Sequence, residues 1–353
     1  MGAASLTRVA RNAAIGLAAV LGLAVLAHTL LWWQASLLLA REAAGWIAAR
    51  EAEGIVLRHG PPIRGGWPWA ARLTLPGVSA SGTIAVEGQG SVPVALSARA
   101  VVLGLELAAP RTLVISIETP FRLAAPPALD AEGEAALLRL QVPLAGEGGA
   151  TPDLLARGLV ITTPRDRLGA EQLTLRLARE PAAGRGQPGL VLDLLATGVE
   201  LPQSSQPVLG RRLARAALDL RVLGLPSGHG SARAQAAAWR EAGGVVQVPR
   251  LVLDWGPLAL DAEATLALDQ GLQPGGEGRA RMAGLPATLD RLAEAGLIDR
   301  QAAQAGRTLV AFMQRAPAGG GPPVVELPLA LRNRTLSLGR MPLLQLPPIA
   351  WPP

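Results

Sequence analysis

The sequence predicts a mainly β protein, with an N-terminal transmembrane helix followed by a large curved antiparallel β-sheet domain and a few short helices. Three observations carry that prediction. Residues Ala13 to Trp33 form an unbroken apolar run. Beyond Ile55, apolar and polar residues alternate in short runs closed by glycine or proline, the signature of strands and turns. Half of all residues are hydrophobic even though 41 are glycine and 30 proline, so the chain is heavily punctuated but has ample material for a core.

The apolar run comes first. Its 21 residues reach roughly 31 Å at helical rise, enough for a hydrocarbon core of about 30 Å. Arg8 and Arg11 are the only charges before it, so the positive-inside bias keeps residues 1–12 in the cytoplasm as a short stub and exports the remainder. Trp32 and Trp33 close the 13–33 span where indoles favour the membrane interface. His28 lies near that end, close enough to reach headgroups or water; a proton path is the other reading of a histidine in a span. A leader cleaved near Val25-Leu26-Ala27 is the alternative to an anchor. The apolar run continues through Leu30, Leu31, Trp32 and Trp33 beyond that point, which suits an uncleaved anchor.

The next segment, 34–54, reads as a juxtamembrane amphipathic helix. Leu39, Ala43, Trp46, Ile47 and Arg50 recur at helical spacing, Arg41, Glu42, Glu51 and Glu53 are polar, and Gly54 supplies a stop. Residues 55–353 are the exported β-rich part, with 55–230 and 231–353 as candidate sub-units of one sheet. Its first strands are expected at Arg72–Leu75, Thr83–Val86, Val92–Ser97, Val101–Leu107 and Leu113–Ile117. They are separated by Pro76-Gly77, Gly88, Gly90, Ala109-Pro110 and Thr119-Pro120. Further strands follow at Leu137–Leu144, Leu159–Thr163, Gln172–Leu177, Leu190–Leu195 and Ala217–Val222, several with single charges between leucines, so one face is apolar and the other wet.

Ser231 to Glu241 reads as an alanine-rich helix. The second strand group is Val245–Leu253, Leu258–Ala262, Ala264–Leu268 and Gly278–Met282. Leu289–Ala295 and Arg300–Arg315 are helical, broken at Gly296, with Asp299 a candidate N-cap. Strands at Val324–Leu331 and Thr335–Leu338 precede a proline-rich tail.

Composition excludes several classes. There is no cysteine, hence no disulfide or thiolate metal site in an exported chain. All 33 basic side chains are arginine and the net charge is +6, interspersed with acids, without the basic stripe and stacking aromatics of a nucleic-acid footprint. Only His28, His59 and His229 exist, too few and too scattered for a metal centre. Ser227 beside His229 lies in a turn with no orienting acid, and no G-x-S-x-G occurs. The acid pairs Asp261/Glu263 and Asp130/Glu132 are spaced by two, placing each pair on one solvated strand face. The residues therefore predict no enzyme, no cofactor and no metal. Trp67 and Trp69, flanking Pro68, are candidates for the membrane interface or a groove mouth, with ordinary core or edge packing as the alternative.

Trp239-Arg240-Glu241-Ala242-Gly243-Gly244, then Trp255-Gly256-Pro257-Leu258 and Gln273-Pro274, resemble the bacterial envelope family known as domain of unknown function 2125. Gly65-Gly66-Trp67-Pro68 and the closing Leu336-Ser337-Leu338-Gly339 extend the resemblance over nearly the whole exported part. The resemblance implies an anchored envelope protein and no assigned activity. More loosely, an inner-membrane anchor before a long amphipathic sheet is similar to the AsmA-like envelope proteins, whose curved sheets carry an apolar groove for lipids. The expected protein sits in the bacterial inner membrane by a single pass, with its C-terminal part in the periplasm. There it would bind or guide lipid or another amphiphile along an apolar sheet face. The alternative is an envelope scaffold or assembly factor pairing with other envelope proteins through sheet edges.

Overall fold

The computed structural model describes residues 3–86, 90–127, 129–144, 152–180, 183–184, 186–224, 230–315, 322–339 and 341–351, with the side chains of all but 3–14, 84–86, 90 and 341–343 among them. The turn at His229 with Ser227 lies outside the described residues. The chain divides into two compact units, Met1–Asp130 and Ala131–Pro353.

Unit 1 begins with a single helix, α1 (Ala3–Ala52), in which span and juxtamembrane segment are continuous. Nothing breaks it because Ala and Leu dominate, no proline interrupts it, and the helix-ending residue is Gly54, at φ +87°. From Ile15 through Ala27 every side chain is exposed, and this helix is long and apolar enough to cross a membrane. Covered positions start at His28 and recur at 32, 36, 39, 43, 47 and 50, one stripe along the helix.

That stripe packs on a sheet of long strands. β1 (Val56–Arg58) and β2 (Ile63–Gly65) pair with β3 (Ala70–Val86), β3 with β4 (Gly90–Glu106) and β4 with β5 (Thr112–Ala125), all antiparallel. The punctuation expected to separate strands lies inside them. Pro76 pairs with Ala100 and Val78 with Ala98, so the ladder steps over Gly77 and Arg99. Between β4 and β5 the register shifts from Ala98↔Phe121 to Ala100↔Glu118, across Thr119-Pro120. The β3–β4 register runs unshifted through Pro76-Gly77, and a bulge absorbs Thr119-Pro120 without ending β5. Leu39 of α1 is buried against Leu73 and Leu75, with Ala40, Ala43, Val78, Leu103 and Leu113 around them.

Unit 2 is a sequential antiparallel meander. β6 (Leu129–Glu134), within which the unit boundary falls, and β7 (Leu137–Pro143) both pair with β8 (Asp153–Thr162). The order then runs β9 (Arg167–Arg179), β10 (Pro188–Glu200), β11 (Arg212–Leu223), β12 (Val245–Trp255), β13 (Leu258–Leu268), β14 (Pro274–Ala283), β15 (Val324–Arg332), β16 (Thr335–Leu338) and β17 (Met341–Gln345), each paired with the next. β13 is one strand where two were expected, and β17 occupies the start of the expected tail.

Three helices interrupt the meander. α2 (Ala232–Glu241) is capped by Ser231, and α4 (Arg300–Met313) by Asp299, whose Oδ1 accepts from the Ala302 N–H at 2.7 Å. α3 (Leu285–Glu294) starts a turn earlier than expected, because Pro286 in its first turn is compatible with a helix start. α3 and α4 pack on each other and against β13 and β15, closing a small core of Ala262, Ala280 and Met282 with Leu260, Leu285, Leu327 and Leu329.

Candidate functional site

Strand pairing in unit 2 brings the leucines together. Reading across the ladder, Leu140, Leu154, Leu175, Leu194, Leu218, Leu251, Ala262, Ala280 and Leu327 stand opposite one another in one unbroken row from β7 to β15. The next row on the same face is Leu138, Ala156, Leu173, Ala196, Ala216, Leu253, Leu260, Met282 and Val325. Neighbouring strands lie about 4.8 Å apart, so eight steps give an apolar path of roughly 38 Å along the sheet. The alternation that builds it comes from segments such as Leu173-Thr174-Leu175-Arg176-Leu177, where a period of two sends every leucine one way.

The path is covered unevenly. At β13 to β15 the helices bury Ala262, Ala280, Met282 and Val325. From β7 to β12, Leu138, Leu140, Leu154, Leu173, Leu175, Leu194, Leu218 and Leu253 are only half-buried, and Leu251 is exposed. Their partial burial comes from one another, as on the face of a single-layer sheet. The leucine rows are thus continuous across these strands and partly accessible, with Leu251 the most exposed of those named.

The opposite face is mixed: one row on it is Leu155, Thr174, Leu195, Ala217 and Val252, with Ala217 and Val252 buried, and the neighbouring rows are charged. Asp153, Arg176, Asp193, Asp219 and Arg250 align in register, with Asp153 and Arg176 3.3 Å apart. Asp261 stands opposite Arg281, and Arg281 opposite Glu326, whose Oε1 accepts from Arg281 Nε at 2.9 Å. That bond, and then the charges of Arg281, Arg315 and Arg279, hold the Glu326 carboxyl below the usual range. Asp261 and Glu263 thus form cross-strand pairs with Arg281 and Arg279 on a wet face. An open depression of about 520 Å³ lies on this side of β12 to β15, lined by Asp261, Glu263, Arg279, Arg281 and Glu326. Three carboxylates there face two guanidinium groups. Elsewhere, Asp130 takes a bidentate bond from Arg122 (2.9 and 2.7 Å), and Asp166 accepts the Ser204 hydroxyl and backbone N–H; both carboxyls are held low by those bonds. Among the described residues no three His, Asp or Glu side chains converge as metal ligands.

The tryptophan motif residues are placed in staples at the strand ends. The Trp239 indole N–H donates to the carbonyls of Leu223 (3.1 Å) and Gly224 (3.3 Å), fixing α2 to the end of β11. Its ring lies flat over Gly244, where a Cβ would sit 2.1 Å from the indole, so only glycine fits. Arg240 donates to the carbonyls of Asp269 (3.4 Å) and Gln270 (3.2 Å) in the β13–β14 turn, and Gly243, at φ +79°, ends the helix. Within the same turn Gln273 exchanges two hydrogen bonds with Ile349, and Trp351 donates to Leu272 O, which ties the C-terminal tail down. At the other end, Trp255-Gly256-Pro257 makes the β12–β13 turn: the Trp255 indole donates to Gly210 O at 2.7 Å, and Gly256, at φ +56°, passes within contact of Leu209 O. These residues hold the sheet's ends in place; Trp255, two residues beyond Leu253 on β12, falls at the end of the leucine face.

The interface tryptophans divide. Trp33 is exposed, whereas Trp32 is half-buried and its indole N–H is taken by Ala70 O at 2.9 Å. Trp67 and Trp69 occupy a turn ahead of β3, after a cis Trp67–Pro68 bond, and both are exposed. His28 Nε2 lies 2.6 Å from Pro68 O; a carbonyl only accepts, so the ring nitrogen donates. These long-range bonds have no local sequence signal.

The family model described as "Uncharacterized protein conserved in bacteria (DUF2125)" matches residues 32–347. No curated protein matches the chain, and no solved structure matches it.

Proposed function

The chain belongs to this uncharacterised bacterial family, and from that premise we propose a non-enzymatic envelope protein, anchored in the inner membrane by α1 with its C-terminal part in the periplasm. It binds or guides lipid acyl chains along the leucine face of β7 to β12. The observation that carries the reading is the register: two rows of leucine and alanine side chains run unbroken over six strands, and their leucines are incompletely buried. Apolar surface in water is unfavourable by about 25 cal/mol per Å², so such a face takes up hydrocarbon whenever hydrocarbon is at hand. The helix that is long and apolar enough to cross a membrane supplies that neighbourhood. Binding then rests on many side chains at once, and specificity for a headgroup is low.

The scaffold reading would use a sheet edge. β17 pairs with β16 alone among the described strands, but Pro342 interrupts its donors, and Leu346 and Ile349 bond back to Arg334 and Gln273. Proline and a folded-back tail are devices that discourage edge pairing, which favours the lipid reading.

The test is native mass spectrometry of the full chain in mild detergent. Retained phospholipid is expected with the unaltered chain and a several-fold loss with Leu194→Arg, while Asp193→Ser on the opposite face leaves it unchanged. Equal retention in all three chains would contradict the reading.

A further inference from the structure

We propose that the Gly66–Ala70 turn is a second, wedge-like contact with the bilayer, seated at the hydrocarbon–headgroup boundary beside α1. The inference rests on α1 spanning the membrane. It concerns how the folded domain meets that membrane, not what the leucine face binds.

The placement follows from α1 itself. His28, which holds Pro68 O, lies five residues before Trp33, about 7.5 Å lower along the helix. The turn therefore reaches alongside the apolar run. Seventeen residues separate Arg11, the last charge before the apolar run, from His28, a helical length of about 26 Å, so a hydrocarbon core of about 30 Å has its far boundary within one helical turn of His28. Over that length the described side chains from Ile15 to Ala27 are all exposed, and protein cover begins only at His28.

The turn is also rigid. The N–H groups of Trp69 (3.1 Å) and Ala70 (2.9 Å) both donate to Gly66 O, Trp69 O accepts from Leu107 N at 3.1 Å, and Trp32 and His28 hold Ala70 O and Pro68 O. Gly66 has φ +93°, and a Cβ there would lie 2.5 Å from Ala70 O, so the turn requires glycine. A backbone pinned at this many points presents Trp69 at 82% exposure and Trp67 at 52%. Leaving two indoles rigidly in water is unfavourable, whereas at the boundary the ring meets hydrocarbon and the N–H meets water or headgroups. Exposed Leu30, Leu31 and Trp33 on α1 and exposed Ala108 in the adjacent β4–β5 turn continue the apolar surface. Arg64 and Arg72, exposed on the two strands at the base of the turn, with Arg72 Cγ against Gly66, place guanidinium groups beside the tip for anionic headgroups.

The absence of cysteine makes the test direct. Single cysteines at Leu21→Cys, Trp69→Cys, Ala108→Cys and Glu118→Cys carry a nitroxide label in the full chain, reconstituted in vesicles of phosphatidylethanolamine with phosphatidylglycerol. Collisions with oxygen and with a water-soluble nickel complex report depth, and Ala108→Cys retains both tryptophans should Trp69→Cys disturb the turn. Oxygen is expected to dominate at positions 21 and 69, both quenchers to act at 108, and nickel to dominate at 118. Nickel dominance at 69 and 108 with oxygen dominance at 21 would overturn the wedge and leave the anchor standing. Nickel dominance at 21 would overturn the anchor and the wedge with it.

Discussion

The two units use the same strand chemistry and treat their apolar faces differently. In unit 1 the leucines of β3 and β4 lie under α1: Leu73 is 2% exposed and Leu39 seals it. In unit 2 the leucines of β7 to β12 are as regular in sequence and as well aligned in register, yet remain incompletely buried. The difference is one of helix supply. In unit 1 the covered part of a fifty-residue helix packs on β1, β3 and β4, whereas in unit 2 α3 and α4 pack at the β13 to β15 end. A covered face stabilises its own fold; an open face stabilises a complex with something apolar.

The largest expected effect breaks the cover in unit 1. Removing residues 1–54 takes away Leu39, Ala40 and Ala43 and leaves Leu73 and Leu75 exposed; the truncated chain is expected to lose the cooperative unfolding of unit 1 in hydrogen-exchange measurements. Removing residues 1–27 spares every covered position of α1 and is expected to keep it. Trp239→Ala comes next. It deletes a buried indole and its hydrogen bonds at the end of β11, and is expected to cost about 3–5 kcal/mol in denaturant titration. The third compares the two faces at equal chemistry. Leu73→Ala is expected to cost about 2–5 kcal/mol, and Leu194→Ala about 1 kcal/mol, because an incompletely buried leucine gives up less burial and leaves no closed cavity. Equal losses at the two sites would show that the unit 2 face is covered after all.

The smallest effect concerns acid. Asp130, Asp166 and Glu326 are held low by their donors Arg122, Ser204 and Arg281. A depressed folded-state pKa contributes stability that is present above the unfolded value of about 4 and is lost as pH falls through the folded value. Because all three are solvent-exposed, the contribution is small. Asp130→Asn should barely move the thermal midpoint at pH 7 and should narrow the gap between the midpoints at pH 7 and pH 3; an unchanged gap would mean the Arg122 bond does not persist in solution.

Much of this architecture was legible in the residues because its signals are local. The apolar run, the alternation in Leu173–Leu177, the alanine-rich helix ending at Glu241, the cap at Asp299 and the Trp255-Gly256-Pro257 turn are each written within a few positions. Strand length was not legible. Pro76-Gly77 and Thr119-Pro120 look like turns, but partners on the neighbouring strand carry the ladder past them, and only the paired register reveals the bulge at the second. The open face was legible as alternation, and its continuity was not, since alignment of Leu154, Leu175, Leu194 and Leu218 depends on four strands agreeing in register. The Trp239 and Trp255 motifs stood out by composition. Their work as staples depends on carbonyls of Leu223, Gly224 and Gly210, which carry no side-chain signal.

The contrast between covered and open leucines is tested most directly by photolabelling the full chain with a diazirine-bearing phospholipid and mapping the adducts by peptide mass spectrometry. The account predicts adducts on Leu154, Leu175, Leu194 and Leu218 in unit 2, on α1 before His28, and none on Leu73 or Leu75. Adducts confined to α1, with the unit 2 leucines unlabelled, would contradict it.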